Sequence, residues 1–187
     1  ANALGALAAL ASTGVDLAAA VAGVGALSGV PGRLERVDAG QQFAAFVDYA
    51  HSPGSLETVL RTLRPVTAGR LIVVIGCGGD RDRGKRPLMG TAATTYADLT
   101  IVTNDNPRSE DPDEIIAAVV AGAVPGSAVQ VEPDRHEAIA RAVSHAEAGD
   151  TVLIAGKGHE ARQEFADHVI EFDDRLELRR AIDAALR

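Results

Sequence analysis

Residues 98–121, with the sequence DLTIVTNDNPRSEDPDEIIAAVVA, contain the pattern that decides the fold. The apolar and β-branched run up to Val102 predicts a strand. A polar loop follows, and the apolar residues beyond it predict a helix over residues 112–121. One strand, one loop and one helix therefore form the repeating unit that we expect along the chain.

The same alternation extends through most of the sequence. Two strands at 33–37 and 42–48 flank a turn at Ala39-Gly40. Repeated strand and helix units predict an α/β fold with a doubly wound, mostly parallel, Rossmann-like sheet and helices on both faces. The remaining predicted elements are strands at 71–75, 99–102, near 129, 151–155 and 168–172, and helices at 53–63, 87–96, 112–121, 134–147 and from Asp173 onward.

A different composition marks the beginning of the chain. Residues 3–26 are mainly Ala, Leu, Val and Gly at helical spacing, and Thr13-Gly14 divides them into two short helices. Residues 28–32 have the composition of a linker. We therefore expect a helical tail plus linker over residues 1–30 and a separate domain over residues 31–187.

Composition and charge exclude several classes of function. The chain has 187 residues, of which 47% are apolar, and a net charge of -8, which argues against a general nucleic-acid binder or a binder of anionic membranes. Cys77 is the only cysteine, so no internal disulfide forms, and no Cys/His spacing predicts a metal site. The start of the sequence resembles neither a signal peptide nor a membrane span. A reducing, cytoplasmic compartment is the simplest expectation.

Four loops carry the chemistry that the fold would bring together. Ligands of parallel sheets bind beyond the carboxyl ends of the strands. The loops at those ends are unusually rich in charge or glycine, and they cover residues 48–53, 76–86, 104–110 and 156–160.

The loop at 104–110 has the groups that an amino acid needs. Arg108 offers two parallel donors to a carboxylate, Asp105 accepts from an ammonium, and Asn106 serves either partner. Pro107 stiffens the loop. The alternative is a solvated turn, because Asn, Asp and Pro are also common turn residues.

The loop at 76–86, GCGGDRDRGKR, narrowly fails two phosphate-binding patterns. Arg81 replaces the third glycine of the dinucleotide fingerprint, which disfavours NAD. Arg86 replaces the Ser or Thr that binds magnesium in a P-loop. A flexible loop rich in cations remains, suited to carboxylates or phosphates. Its alternative is a solvated loop of surface ion pairs.

The two other loops allow more than one role. Asp48 and His51 suit a nucleotide ribose or phosphate, although a lone His is more often a structural residue and Asp48 also suits capping of the next helix. Glu160, after Lys157 in a glycine-containing loop, is suited to an ammonium group. It is also suited to the first turn of a helix, where the helix dipole favours acidic residues.

Several segments in order resemble one family. The chain is similar to the C-terminal domain of the Mur ligases, in particular those that add meso-diaminopimelate to UDP-MurNAc-L-Ala-D-Glu. The matching segments are NALGALA, VPGRLE, VDYAHSPGSLE, GCGGDRDRGKRPLMG, TNDNPRSEDP and AGKGHE.

The resemblance also implies roles for particular residues. Binding of ATP would involve Asn2, Arg33, Asp48 and His51. Recognition of meso-diaminopimelate would involve Arg81, Asp105, Asn106, Pro107, Arg108, Gly156 and Glu160.

The implied reaction is ATP-dependent amide formation through an acyl phosphate, with Mg²⁺. The family's nucleotide-binding loop and magnesium ligands have no counterpart in this sequence, so we expect a fragment that is inactive alone, with residues 1–30 as the tail of a central ATP-binding domain. The alternative is a stand-alone amino-acid or nucleotide binding module. A dinucleotide-dependent oxidoreductase is disfavoured by Arg81.

Overall fold

The computed structural model describes residues 2–27 and 29–187, so Ser28 of the predicted linker lies outside the described residues. The chain divides into two compact units, residues 1–30 and 31–187. The assignment of the first unit to a preceding ATP-binding domain stays a prediction. None of the helices in the described part of the chain is long and apolar enough to cross a membrane.

The first unit consists of two short helices, as predicted. They are α1 (Asn2–Ser12) and α2 (Leu17–Gly25), separated by a turn in which Gly14 has a φ of 84°. The side chain of Asp16 caps α2 by accepting a hydrogen bond of 3.0 Å from the backbone N–H of Ala19. Ala20 is the only buried residue among the described residues of the two helices. This unit therefore has almost no core of its own.

A six-stranded sheet forms the centre of the second unit. Its strand order is β1-β2-β6-β3-β4-β5, and every neighbouring pair except β1 and β2 is parallel. The predicted fold class is confirmed. The strands are β1 (Glu35–Arg36), β2 (Ala44–Asp48), β3 (Leu71–Ile75), β4 (Leu99–Val102), β5 (Val129–Val131) and β6 (Thr151–Ala155).

Helices cover both faces of this sheet because its central strands are apolar on both sides. Along β3, Leu71, Val73 and Ile75 face a core formed with the helices that follow β2, β3 and β4. Ile72 and Val74 face a second core, formed with the last two helices. The helices of the second unit are α3 (Pro53–Leu63), α4 (Lys85–Tyr96), α5 (Pro112–Val120), α6 (Arg135–His145) and α7 (Asp174–Ala185).

Two predicted strands differ from the structure. The strand expected at 33–37 is reduced to the two residues of β1 at the sheet edge. The strand expected at 168–172 is β8 (Val169–Glu171), and it pairs outside the main sheet with β7 (Arg162–Glu164). The sequence did not predict β7 because its residues, Arg, Gln and Glu, carry no apolar alternation.

The strand order brings the polar loops together. β6 lies between β2 and β3, although it comes last of the three along the chain. The parallel strands β2, β6, β3 and β4 all end at the same edge. The loops at 48–53, 156–160, 76–86 and 104–110 therefore lie side by side, as the sequence predicted.

A buried ion pair fixes this edge of the sheet. Arg135 and Asp174, at the starts of α6 and α7, have fully buried side chains that meet at 2.8 Å. The Arg135 guanidinium also donates to the carbonyl oxygens of Asn104 and Ala155, each at 3.2 Å. Burial lowers the pKa of Arg135, but the charge and hydrogen bonds of Asp174 outweigh burial and raise that pKa above its ordinary value. Arg135 thus ties the ends of β4 and β6 to both helices.

Replacement of Arg135 by Met should destabilise the fold strongly, because Asp174 would keep a buried charge without a partner. We expect the free energy of unfolding to fall by about 3 kcal/mol or more, measured by urea denaturation. Arg36→Met is the matched control, since its ion pair with Asp38 is more than half exposed. It should change stability by less than about 1 kcal/mol. Equal effects of the two substitutions would contradict this role of Arg135.

Candidate functional site

The four loops enclose one cleft of about 280 Å³ at the carboxyl edge of the sheet. Of the residues predicted to bind meso-diaminopimelate, only Pro107 does not line it. The cleft contains both kinds of charge that a zwitterion requires. Its lining includes Arg81, Asp105, Asn106, Arg108, Gly156 and Glu160, and also His51, Lys85 and Asp82.

Close packing of two loops explains the glycines at positions 76 and 79. The backbone N–H of Gly79 donates to the carbonyl of Asn106 at 2.8 Å. A Cβ atom on Gly79 would lie 1.9 Å from the carbonyl oxygen of Pro107, and one on Gly76 would lie 2.8 Å from that of Thr103. These glycines therefore allow one loop to pack against the other.

Cys77 lies between these two glycines in the sequence. Burial raises the pKa of its thiol to about 11, so this cysteine is no nucleophile at neutral pH.

Arg108 has a backbone and a side chain that are both held in place. Its φ of 52° is left-handed, and its N–H donates to the carbonyl of Glu164 at 3.1 Å. The side-chain Nε donates to the Glu164 carboxylate at 2.8 Å, and Nη1 donates to the carbonyl of Gly79 at 2.9 Å. Nη2 has no hydrogen-bond partner among the described residues. This nitrogen therefore remains available to donate hydrogen bonds.

Lys157 lies beneath the acidic side of the cleft with no exposed surface. Its Nζ donates to Asn106 Oδ1 at 2.9 Å and lies 3.4 Å from Asp105 Oδ1 and 3.5 Å from Glu160 Oε2. Asn106 completes the group by donating from Nδ2 to Glu160 at 3.1 Å. Three of the predicted ligand-binding residues are thus arranged around one ammonium group.

The cations of the loop at 76–86 divide into two sets. Arg83 and Arg86 pair with Glu110 at 2.9 Å; the Arg83 side chain is exposed, as in the alternative of surface ion pairs, whereas the Arg86 side chain is buried. Arg86 lowers the pKa of Glu110 below its ordinary range through their hydrogen bond. By contrast, Arg81 is exposed and forms no ion pair with a carboxylate in the described part of the chain; its Nη1 donates to the carbonyl of Asp80.

Of the four residues predicted to bind ATP, only His51 lines the cleft. The Asp48 carboxylate accepts from the backbone N–H groups of Leu34 and Ala50, at 2.6 and 2.8 Å. It does not cap α3, because Ser52 does so. Asn2 is exposed in the first unit. The roles of all four residues in binding ATP stay predictions.

Arg33, the remaining predicted ATP residue, belongs to an aromatic cluster. Its guanidinium lies 4.7 Å from the ring centre of Tyr49. The rings of His51 and His159 lie 4.5 and 5.4 Å from the same ring centre. This cluster presents flat surfaces and a cation beside the cleft, a combination suited to a nucleotide.

Three residues hold the loops around the cleft together, and the sequence predicted no role for them. They are Lys157, Glu164 and Glu110, and each connects residues that are distant in the sequence. For Lys157 the only local signal is its position between Gly156 and Gly158, whose φ values of 121° and 57° allow the chain to bend around it. Glu160 comes directly after the turn at Gly158 and His159 and is not in a helix, so its alternative role in a first helical turn is wrong.

Comparison with known proteins identifies the class. Residues 32–158 match the family described as Mur ligase, glutamate ligase domain. The chain belongs to this family, and the resemblance predicted from its motifs is confirmed.

Particular relatives agree with this result. The UDP-N-acetylmuramoyl-L-alanyl-D-glutamate–2,6-diaminopimelate ligase of Streptomyces avermitilis is 57% identical over 187 residues, which cover 97% of this chain and 37% of that protein. A solved structure of a ligase of the same name superposes with a TM-score of 0.80 at 46% identity, covering 97% of this chain and 37% of the other. The chain therefore spans just over a third of these relatives.

A more distant solved structure contains nucleotides. It is a folylpolyglutamate synthase of Mycobacterium tuberculosis in complex with ADP and AMPPCP, with a TM-score of 0.60 and 26% identity. The match covers 79% of this chain and 34% of that protein.

Replacement of Gly79 by Ala should separate the two central loops, because the added Cβ would overlap the Pro107 carbonyl. We expect a loss of about 2 kcal/mol in the free energy of unfolding, with the largest amide shift changes in residues 76–86 and 104–110. Gly54→Ala in α3 is the control, because its Cβ would meet no atom within 4 Å. It should change stability by less than about 1 kcal/mol. A Gly79→Ala protein with unchanged loops would contradict the packing role.

Proposed function

We propose that this domain binds meso-diaminopimelate in an ATP-dependent ligase that joins it to UDP-MurNAc-L-Ala-D-Glu. One observation carries the proposal. The cleft combines two carboxylates, Asp105 and Glu160, with two guanidinium groups, Arg81 and Arg108, that retain unpaired donors within the described chain. This combination complements an ammonium and a carboxylate on one carbon atom.

The geometry supports an assignment of roles within the cleft. The ligand carboxylate would bind Arg108 through Nη2, because Glu164 occupies Nε, and would bind Arg81 as well. The ligand ammonium would bind near Glu160, whose side chain is 37% exposed and so can reach a ligand. Asn106 would position Glu160 through its amide. Gly156 has a φ of 121°, which side chains rarely adopt, and as a glycine it leaves the approach to Asp105 open.

The chemistry of diaminopimelate explains why such a receptor would be useful. The molecule has two amino-acid centres, and one centre must be held while the amine of the other attacks. In the proposed reaction the D-glutamyl side-chain carboxylate is first activated as an acyl phosphate. This domain would then contribute by orienting the amine, which lowers the entropic part of the barrier. It would bind L-lysine more weakly, since lysine has no carboxylate at its second amine.

The nucleotide and the second substrate would be bound largely outside this chain. We propose that ATP approaches the aromatic cluster through Arg33 and His51, with Asp48 nearby, and that Asn2 of the first unit contributes to ATP binding separately. The nucleotide complexes of the related folylpolyglutamate synthase support use of ATP. Mg²⁺ and UDP-MurNAc-L-Ala-D-Glu would bind to parts of the enzyme beyond this chain, in the cytoplasm.

Titration with amino acids tests the proposal directly. We expect meso-diaminopimelate to shift the amide resonances of Arg81, Asn106 and Gly156, and L-lysine to bind at least about tenfold more weakly, because a charged hydrogen-bonded pair is lost. Arg108→Ala should abolish the difference between the two ligands. Arg83→Ala is the matched control, because Arg83 has a comparably charged side chain on a neighbouring loop but pairs with Glu110.

Two outcomes would count against the proposal. Equal binding of both amino acids would refute recognition of the second carboxylate. An identical loss of binding in Arg83→Ala and Arg108→Ala would show a general charge effect and no specific contact at Arg108.

A further inference from the structure

A buried cation, Lys157, lies beneath the cleft, and the proposed function gives it no role. We propose that Lys157 is the internal counter-ion of the cleft and determines which ligand charge the cleft accepts. Lys157 would be a positioning and specificity-determining residue, since its ammonium lies beneath the carboxylates and contributes no surface to the cleft. The inference rests on the proposed amino-acid site and adds to it a rule for ligand charge.

The burial of Lys157 requires partners, and all of its partners belong to the cleft. A buried ammonium is strongly unfavourable unless it is paired and hydrogen-bonded. Its Nζ contacts Asn106 at 2.9 Å, Asp105 at 3.4 Å and Glu160 at 3.5 Å. Asp105 forms no ion pair with any other cation in the described chain. The charge of Lys157 is therefore directed at the site where we place the ligand ammonium.

The positive and negative groups around the cleft are equal in number. The ion pair of Arg135 and Asp174 beneath the cleft is neutral by itself. Around the cleft, counting Glu164 as the partner of Arg108, four cations face four carboxylates, so a neutral zwitterion fits without excess charge. Without Lys157 the cleft would have an excess negative charge and would favour a cationic ligand. The charged groups are Arg81, Lys85, Arg108, Lys157, Asp82, Asp105, Glu160 and Glu164.

A role of Lys157 in packing alone would have a different effect on ligand affinity. If Lys157 merely filled space, its replacement would loosen the cleft and weaken every ligand. A counter-ion acts on ligand charge, because a missing cation weakens carboxylate binding and strengthens ammonium binding. A comparison of a zwitterionic with a dicationic ligand therefore separates the two explanations.

The experiment uses this chain and its Lys157→Met variant, in which Met retains most of the side-chain volume. Affinities for meso-diaminopimelate and 1,5-diaminopentane are measured by calorimetry, and circular dichroism checks the fold. We expect the preference for the amino acid over the diamine to fall by about tenfold or more, chiefly because the diamine binds more tightly. Weaker binding of both ligands with an unchanged ratio would overturn the proposal.

Two further variants make the test independent of folding defects. Arg83→Met removes a cation from one of the loops around the cleft, but Arg83 pairs with Glu110 and does not line the cleft. It should change the ratio by less than about threefold. The double variant Lys157→Met with Asp105→Asn removes one charge of each sign and should restore the ratio to within about threefold of the original chain. A ratio that stays low in the double variant would overturn the charge explanation.

The two proposals fail in different ways. If the unmodified chain binds no meso-diaminopimelate, the proposed function fails for this chain. The counter-ion role is then decided by the diamine alone, whose binding must increase in Lys157→Met. If diamine binding does not increase, the counter-ion role fails, whether or not the amino acid binds.

Discussion

The ion pair of Arg135 and Asp174 is the constraint on which the site depends. Arg135 reaches from α6 to carbonyl oxygens at the ends of β4 and β6, and Asp174 joins α7 to the same point. The loops at 104–110 and 156–160 begin at these two strand ends. A guanidinium suits this position because its planar fork supplies several donors at once in fixed directions. Such a pair need not add net stability, but it defines the arrangement of the elements that it joins.

The loops that follow the strand ends are held against one another. The glycines at 76 and 79 let one loop lie against the next, Glu110 draws Arg83 and Arg86 together, and Glu164 holds Arg108 from the other side. As a result, several charges that suggest ligand binding are already paired within the protein. The donors and acceptors that remain, on Arg81, Arg108 and Glu160, are those most suited to a ligand. In the proposed site, this preorganisation would reduce the entropy lost when a ligand binds.

The sequence predicted the sheet and the convergence of the polar loops because both depend on local patterns. β3 and β6 are runs of apolar residues with the predicted bounds, and polar loops at strand ends converge in any parallel sheet. The burial of Arg135 and Lys157 was not predictable in this way. A cation within a helix or between two glycines has the same local pattern whether it is solvated or buried. Only the pairing of distant segments distinguishes these cases. β7 was missed for the same reason, since its strand forms through β8 and not through its own polar residues.

The position of Glu164 has a consequence for how this cleft can change in evolution. Glu164 belongs to the small hairpin of β7 and β8, whereas Asp105 and Lys157 follow strands of the main sheet. Arg108 and Asn106 are thus held partly by a peripheral element, through Glu164, whereas Asp105 and Lys157 are positioned by the main sheet. In the proposed site, insertions or exchanges in the hairpin would change the support of Arg108, and with it the selection among side-chain carboxylates, while Asp105 and Lys157 stay in place. A lineage would in this way acquire a new amino-acid preference without rebuilding its core.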